Sequence, residues 1–300
     1  MKHIAIALLY ICGAKAAGRE VAITIDDLPR GGDSGCAAAP LLSMTEKLMK
    51  PLREGRIPVT GFVNGQRCPE VQEQALRIWL DAGAELGNHT YSHVDLNSVT
   101  ASEFITDIVR GEHPIENLTG VKATYFRYPF LHLGDETQKR QAVIDYLRTH
   151  GCRNAPVTLD NSDYMFARVY AMALRKGDPA LARKVTDAYI PYMEAIFEFF
   201  EKRSAEVTGH EVRQTLLIHA SQLNADMMPQ MLEMMKRRGY RFVSLARALD
   251  DAAYQLPERF VGRGGFSWIH RWAMAAGRKF PTYEPDEPKW IGELWNAKPE

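Results

Sequence analysis

Val21-Ala22-Ile23-Thr24-Ile25-Asp26-Asp27 is a strand-like apolar run that ends on two adjacent carboxylates. About sixty residues later comes a second chemically loaded stretch, Gly87-Asn88-His89-Thr90-Tyr91-Ser92-His93-Val94-Asp95. Two imidazoles four residues apart can point the same way from one helical turn, and a carboxylate brought beside them by the fold completes a three-ligand metal set. Three protein ligands leave one coordination position open, the mark of a hydrolytic rather than a structural site. The other aspartate of the pair is then free to act as a base.

Outward from this stretch, short β-like runs alternate with helical patterns. Strands are expected at 21–25, 58–63, 84–87, 123–127, 156–159, 214–219 and 240–244, and helices at 40–54, 70–82, 101–118, 136–149, 163–205, 227–238 and 245–254. Pro40, Pro69 and Thr100 read as helix starts, and Gly55, Gly83, Gly151 and Gly239 as stops. Strict alternation implies parallel strands with right-handed crossovers, hence a doubly wound sheet or a barrel. The reactive residues decide between them. Asp26, Asp27, His89, Arg127, Asp160, Asp163 and His219 all fall at or after the C-terminal ends of expected strands, and such ends converge only in a ring. The fold class is therefore α/β, an irregular (β/α) barrel with about seven parallel strands.

The 300-residue length suits one barrel domain, and 46% apolar residues supply its core. A formal net charge of zero argues against nucleic acid or an anionic membrane as partner. Lys2 and His3 precede the apolar run Ile4 to Ile11, and Ala14-Lys15-Ala16 offers a small-x-small cleavage site. Residues 1–17 thus read as a cleaved signal peptide, too short to span a membrane, and the protein as secreted or periplasmic. Export permits disulfides. Cys36 and Cys68 lie in loops after the first and second expected strands, where they could meet on one face. Cys152 is expected to stay a buried free thiol.

Two segments exceed a minimal barrel. Residues 164–207, within the domain spanning 18–254, form a helical insertion broken by Gly177-Asp178-Pro179. Residues 255–300 hold four of the five tryptophans, and are read as an extension packed on the barrel. His113, His132, His150, His210 and His270 are read as surface or helix-end histidines. The run Met227, Met228, Met231, Met234 and Met235 has helical spacing and is read as core.

The chain resembles the polysaccharide deacetylase family (the NodB homology domain, carbohydrate esterase family four) from about residue 19 to 250. Five motifs carry the resemblance in order: Thr24-Ile25-Asp26-Asp27, His89-Thr90-Tyr91-Ser92-His93, Phe126-Arg127-Tyr128-Pro129-Phe130, Asp160-Asn161-Ser162-Asp163-Tyr164 and Leu217-Ile218-His219. Tyr128, Phe130, Tyr164 and Ala220 depart from the family's usual residues. The resemblance implies that Asp27, His89 and His93 bind the metal, Zn²⁺ or alternatively Co²⁺, Ni²⁺ or Mn²⁺. It implies Asp26 as base, Arg127 as its partner, His219 as acid and Asp163 as the group that keeps His219 charged. It also implies the backbone N–H of Phe130 as oxyanion donor, with Tyr164 and Leu217 walling the acetyl pocket. Asp95 is read as orienting the loop or a ligand imidazole rather than binding metal. Asp160 is the alternative partner for His219.

The implied function is a metal-dependent hydrolase acting on an acetylated carbohydrate, removing N-acetyl or O-acetyl groups. Two rivals stand beside it: a metal-dependent hydrolase of another C–N bond, such as a cyclic amide, and a carbohydrate-binding protein with a lapsed active site.

Overall fold

The structure, a computed structural model, describes residues 18–32, 35–278 and 284–297. The expected signal segment lies outside them. The first half runs β1 (Glu20–Leu28), α1 (Ala38–Glu54), β2 (Val59–Val63), α2 (Gln72–Asp81), β3 (Glu85–Asn88), α3 (Ala101–Thr119), β4 (Tyr125–Phe126) and α4 (Thr137–Thr149). It continues through β5 (Arg153–Asn154), α5 (Asp163–Lys176), α6 (Pro179–Thr208), β6 (Gln214–His219), α7 (Gln222–Arg237), β7 (Arg241–Phe242) and α8 (Leu245–Leu249). Two further helices, α9 (Trp268–Ala275) and α10 (Lys289–Asn296), belong to the extension.

The seven strands pair in parallel in the order β5-β4-β3-β2-β1-β6, with β7 beside the start of β1. The segment 153–159 joins the two edges of this sheet. Ala155 N donates to Phe126 O on β4 at 2.8 Å, and Leu159 N to Thr215 O on β6 at 3.0 Å. The expected strand at 156–159 is thereby corrected. The ordered strand residues are 153–154, and beyond them only Leu159 bridges β6. Pro156 explains the gap, because it has no N–H to give the ladder. The sheet is curled and barrel-like, and the C-terminal ends of its strands face a common rim.

Local sequence accounts for most boundaries. Thr100 and Glu103 form a reciprocal capping box at the start of α3, which ends on left-handed Gly120. Gly177 is left-handed at the end of α5, after which Asp178 caps α6 and Pro179 occupies its first turn. The expected break at Gly177-Asp178-Pro179 thus separates two helices. The expected helix at 227–238 begins earlier, at Gln222, because the Ser221 side chain caps it. The helix expected at 245–254 stops at Leu249, and a 3₁₀ turn follows at Ala252–Gln255. The five methionines of α7 are buried in the core. Cys36 and Cys68 form a disulfide across Cα atoms 5.2 Å apart, and Cys152 is buried and free. Among the described residues no helix is long and apolar enough to cross a membrane.

One helix contact governs the site. A Cβ on Gly111 of α3 would lie 2.6 Å from the Asn88 side-chain oxygen and 2.6 Å from the Thr90 carbonyl carbon. Helix propensity alone predicts that Gly111→Ala gains about 1 kcal/mol. We expect the opposite, a loss of about 1–3 kcal/mol from overpacking against backbone. A lowered urea midpoint at unchanged slope is the expected result, and a raised midpoint would refute the contact.

Candidate active site

A regular strand points successive side chains to opposite faces, so Asp26 and Asp27 could not both face the rim in ideal β structure. β1 escapes this by a bulge. Ile25 pairs Gly61 and Leu28 pairs Val63, three residues advancing against two, and Asp27 has φ 64°. Asp26 lies opposite His219 in the β1–β6 register. Asn64, 2% exposed, donates from its amide nitrogen to Asp27 Oδ1 at 2.7 Å.

His89 and His93 do not sit on a helical turn, which corrects the expectation from their spacing. They lie in the irregular loop after β3, where Thr90 and His93 both have positive φ, 65° and 58°. Local polar bonds hold this shape. Thr90 N donates to Asn88 Oδ1 at 2.8 Å, His93 N to Thr90 Oγ1 at 3.0 Å, and Ser92 N to the Asp107 carboxylate of α3 at 2.9 Å. The imidazole of His89 donates from Nδ1 to Arg127 O at 2.8 Å, leaving the Nε2 lone pair facing the rim.

Ligand atoms of Asp27, His89 and His93 all lie within 4.8 Å of one another. Asp27 Oδ1 is 3.4 Å from His93 Nε2 and 3.7 Å from His89 Nε2. Tetrahedral coordination with bonds near 2.1 Å requires ligand separations of about 3.4 Å. The donor set therefore fits a borderline divalent ion, of which Zn²⁺, Co²⁺, Ni²⁺ and Mn²⁺ are the candidates. Burial holds both imidazoles down at about 4, against the opposing pull of Asp27, so they are neutral and free to ligate at neutral pH. Burial would raise Asp27, but the imidazoles of His93, His219 and His89 outweigh it and hold its carboxyl at about 2.

Asp26 is 2% exposed and fully buried Arg127 approaches it, Nη1 lying 3.3 Å and 3.2 Å from the two carboxylate oxygens. The same guanidinium donates to Ala155 O at 2.8 Å and Thr24 Oγ1 at 2.9 Å, and lies over the Phe62 ring inside the barrel. Burial raises the Asp26 carboxyl despite this partner. On the neighbouring strand β6, His219 Nδ1 meets Asp163 Oδ1 at 2.7 Å. Asp163 Oδ2 also accepts from His219 N and from the Asn224 amide, and Tyr189 OH of α6 donates to Asn224 at 2.7 Å. Burial opposes charge on His219, but the Asp163 carboxylate wins and lifts it to about 10. Asp160, the alternative partner, instead accepts from its neighbour Asn161 N; burial and then Glu284 raise its carboxyl to about 7.

Phe130 has φ 57° and a half-exposed ring packed on His93 at 4.6 Å. Tyr164 lies edge-on to His219 at 6.0 Å, and buried Leu217 completes that side. All three line one cavity of about 640 Å³, together with Asp26, Asp27, His89, His93 and His219. His132 and His270 correct the reading of the remaining histidines. His132 lines the same cavity and pairs with Asp95 at 2.9 Å, and His270 is buried against Glu284. Asp95 caps the turn at Leu96–Ser98 and binds neither ligand imidazole. The sequence carried no signal for Asn64, Asn224 or Tyr189, since none belongs to a motif and each matters only through what it touches.

With this geometry in hand, residues 13–149 match the family model described as polysaccharide deacetylase. A chitin deacetylase of Colletotrichum lindemuthianum is 23% identical over 239 residues, 77% of this chain and 80% of that protein. A peptidoglycan-N-acetylglucosamine deacetylase of Bacillus cereus is 30% identical over 111 residues, 37% of this chain and 36% of that protein. Among solved structures, the Colletotrichum lindemuthianum chitin deacetylase superposes with a TM-score of 0.54 at 20% identity, covering 79% of this chain and 90% of that one. A mutant of a pseudoenzyme from Bacillus anthracis superposes at 0.52 and 16% identity, covering 78% and 68%. Residues 13–149 of this chain thus resemble the polysaccharide deacetylase family. The structural likeness shows the fold alone, and that fold is shared by an enzyme and a pseudoenzyme.

Asp163→Asn removes the charge that holds the His219 proton. Imidazole titration by NMR should show the His219 pKa falling from about 10 towards the ordinary histidine value of about 6.5. An unmoved titration would assign that proton to another partner.

Proposed function

We propose that the chain is a metal-dependent hydrolase that removes N-acetyl groups from a carbohydrate. The observation that carries this reading is one cavity shared by two opposite units: a neutral His89–His93 pair with Asp27, and a protonated His219 held by Asp163. Asp27, His89 and His93 would hold the ion. A divalent ion there acidifies water and polarises an acetyl carbonyl.

The chain's own residues do the rest. Asp26, kept basic by burial and oriented by Arg127, takes a proton from the attacking water. Oxygen joins the acetyl carbon, and the charge developing on the carbonyl oxygen is met by the Phe130 N–H. His219 then gives its proton to the departing nitrogen, so the C–N bond breaks to amine and acetate. Arg127 and Asp163 act as positioning residues. Tyr164 and Leu217 bound the space for the methyl group. A strongly protonated acid is needed for an amine leaving group and much less for an alcohol, which favours N-acetyl over O-acetyl substrates. The Cys36–Cys68 disulfide suits an exported protein, in keeping with a cleaved leader at 1–17.

The reading is tested by acetate release from N-acetylglucosamine oligomers before and after exhaustive chelation. Loss on chelation, with recovery on adding Zn²⁺ or another of the candidate ions, is the expected result. Undiminished release would end the metal-dependent reading, and release only from cyclic ureides would move the substrate to a cyclic amide. A protein that binds oligomers yet releases nothing in any metal would be a lapsed enzyme.

His219→Ala should lower amide turnover on the order of 10²–10⁴-fold while activated aryl acetates lose far less; equal losses would remove the acid role. The sign of the pH effect follows from the protonated form being the active one. Turnover should hold through neutrality and fall as pH rises through about 10. Asp163→Asn should bring that limb down by several units, as read in kcat against pH.

A further inference from the structure

After its last sheet strand the chain returns to the site twice. Arg271 donates to Leu131 O at 2.7 Å, and Asn97 donates to Arg263 O at 3.1 Å. Gly265 presses so closely on the Phe130–Leu131 turn that a Cβ there would lie 2.0 Å from Phe130 O. The second return is α10 and the residues before it. Ile291 is fully buried, Trp295 sits edge-on to Tyr164 at 5.2 Å, and the Arg168 guanidinium covers the Trp295 ring at 4.8 Å. Glu284 is fixed to buried His270 at 2.6 Å.

Residues 284–287 and Trp295 thus close the cavity beside Tyr164, and the chemistry of that wall is one-sided. Glu284, Asp286 and Glu287 line it from the extension, and Asp160 adds a fourth carboxylate from the loop after β5. Arg168 is the only lysine or arginine among the described lining residues, and it is engaged on the Trp295 ring.

We propose that residues 284–297 set the substrate class of the site: amino-sugar oligomers whose rings are neutral or carry an ammonium group, with sugars bearing a carboxylate excluded. The inference rests on the deacetylase reading and deepens it. An anionic ring seated against this wall loses hydration and meets Asp286 and Glu287, while Arg168 beside them is engaged on Trp295, so discrimination comes from repulsion built into the wall. A neutral ring meets the Trp295 and Tyr164 edges instead. An ammonium is attracted.

The test compares the full chain with Asp286→Asn/Glu287→Gln on two probes, N-acetylglucosamine tetramer and a glycan of the same length containing N-acetylmuramic acid. Both binding by calorimetry and acetate release are measured, at low and high salt. We expect the wild type to bind and turn over the neutral probe far better than the acidic one. The double variant should narrow that ratio by roughly tenfold, through KM for the acidic probe. High salt should narrow the wild-type ratio and leave the variant's less affected. Equal wild-type affinity for both probes, or a ratio indifferent to the double variant, overturns the proposal. The binding arm reads the wall without turnover. A wild type that discriminates in binding but releases no acetate would sink the hydrolase reading and leave the wall intact.

Discussion

Two neighbouring carboxylates on one strand must share a rim, and the regular pleat forbids it. Everything at this site depends on how β1 breaks the rule. The extra residue between Ile25 and Leu28, with Asp27 in the left-handed region, turns Asp27 towards the imidazoles while Asp26 keeps its place opposite His219. A non-glycine residue at positive φ carries a cost of order 1–3 kcal/mol, tolerated where surrounding structure over-determines it. Thr90, His93, Phe130 and Leu131 share that conformation and all border the same cavity or its loops. The bonds that enforce it are both local, from Asn88 and Thr90, and long-range, from Asn64 and Asp107.

Burial opposes charge on all three of the site's histidines, and their partners decide the outcome. His89 and His93 are desolvated and stay neutral, whereas His219 is desolvated beside a carboxylate that touches it twice, at the ring and at its backbone N–H. One cavity therefore holds both lone pairs that can accept an ion and a proton that can be donated. The barrel interior supplies the third element: Arg127, fully buried, ties Asp26 to the Thr24 hydroxyl and the Ala155 carbonyl. Removing one member of that buried pair would leave an uncompensated charge.

The parts of the chain outside the barrel are not passive additions. α6 sends Tyr189 to Asn224, and Asn224 to Asp163, so the helical insertion braces the carboxylate that charges His219. The extension grips the Phe130–Leu131 turn through Arg271 on one side and closes the cavity with Trp295 on the other. The geometry of the rim thus leans on residues remote in sequence from the motifs.

Linear order was enough to read the strand–helix alternation, the barrel class, the break at Gly177-Asp178-Pro179, and the residues that meet at the rim, because periodicity, caps and motif spacing are properties of neighbouring residues. It misjudged the histidine pair. Spacing of four is equally compatible with a helical turn and with a loop carrying two positive-φ residues, and only Asn88, Asp107 and close-packed Gly111 choose the loop. It also overran the fifth strand, whose pairing Pro156 interrupts. Asn64 on Asp27, Asp95 on His132 and the carboxylate wall of residues 284–287 were invisible for one reason: each is a contact between distant segments, and such contacts exist only once the sheet has curled and its edges have met.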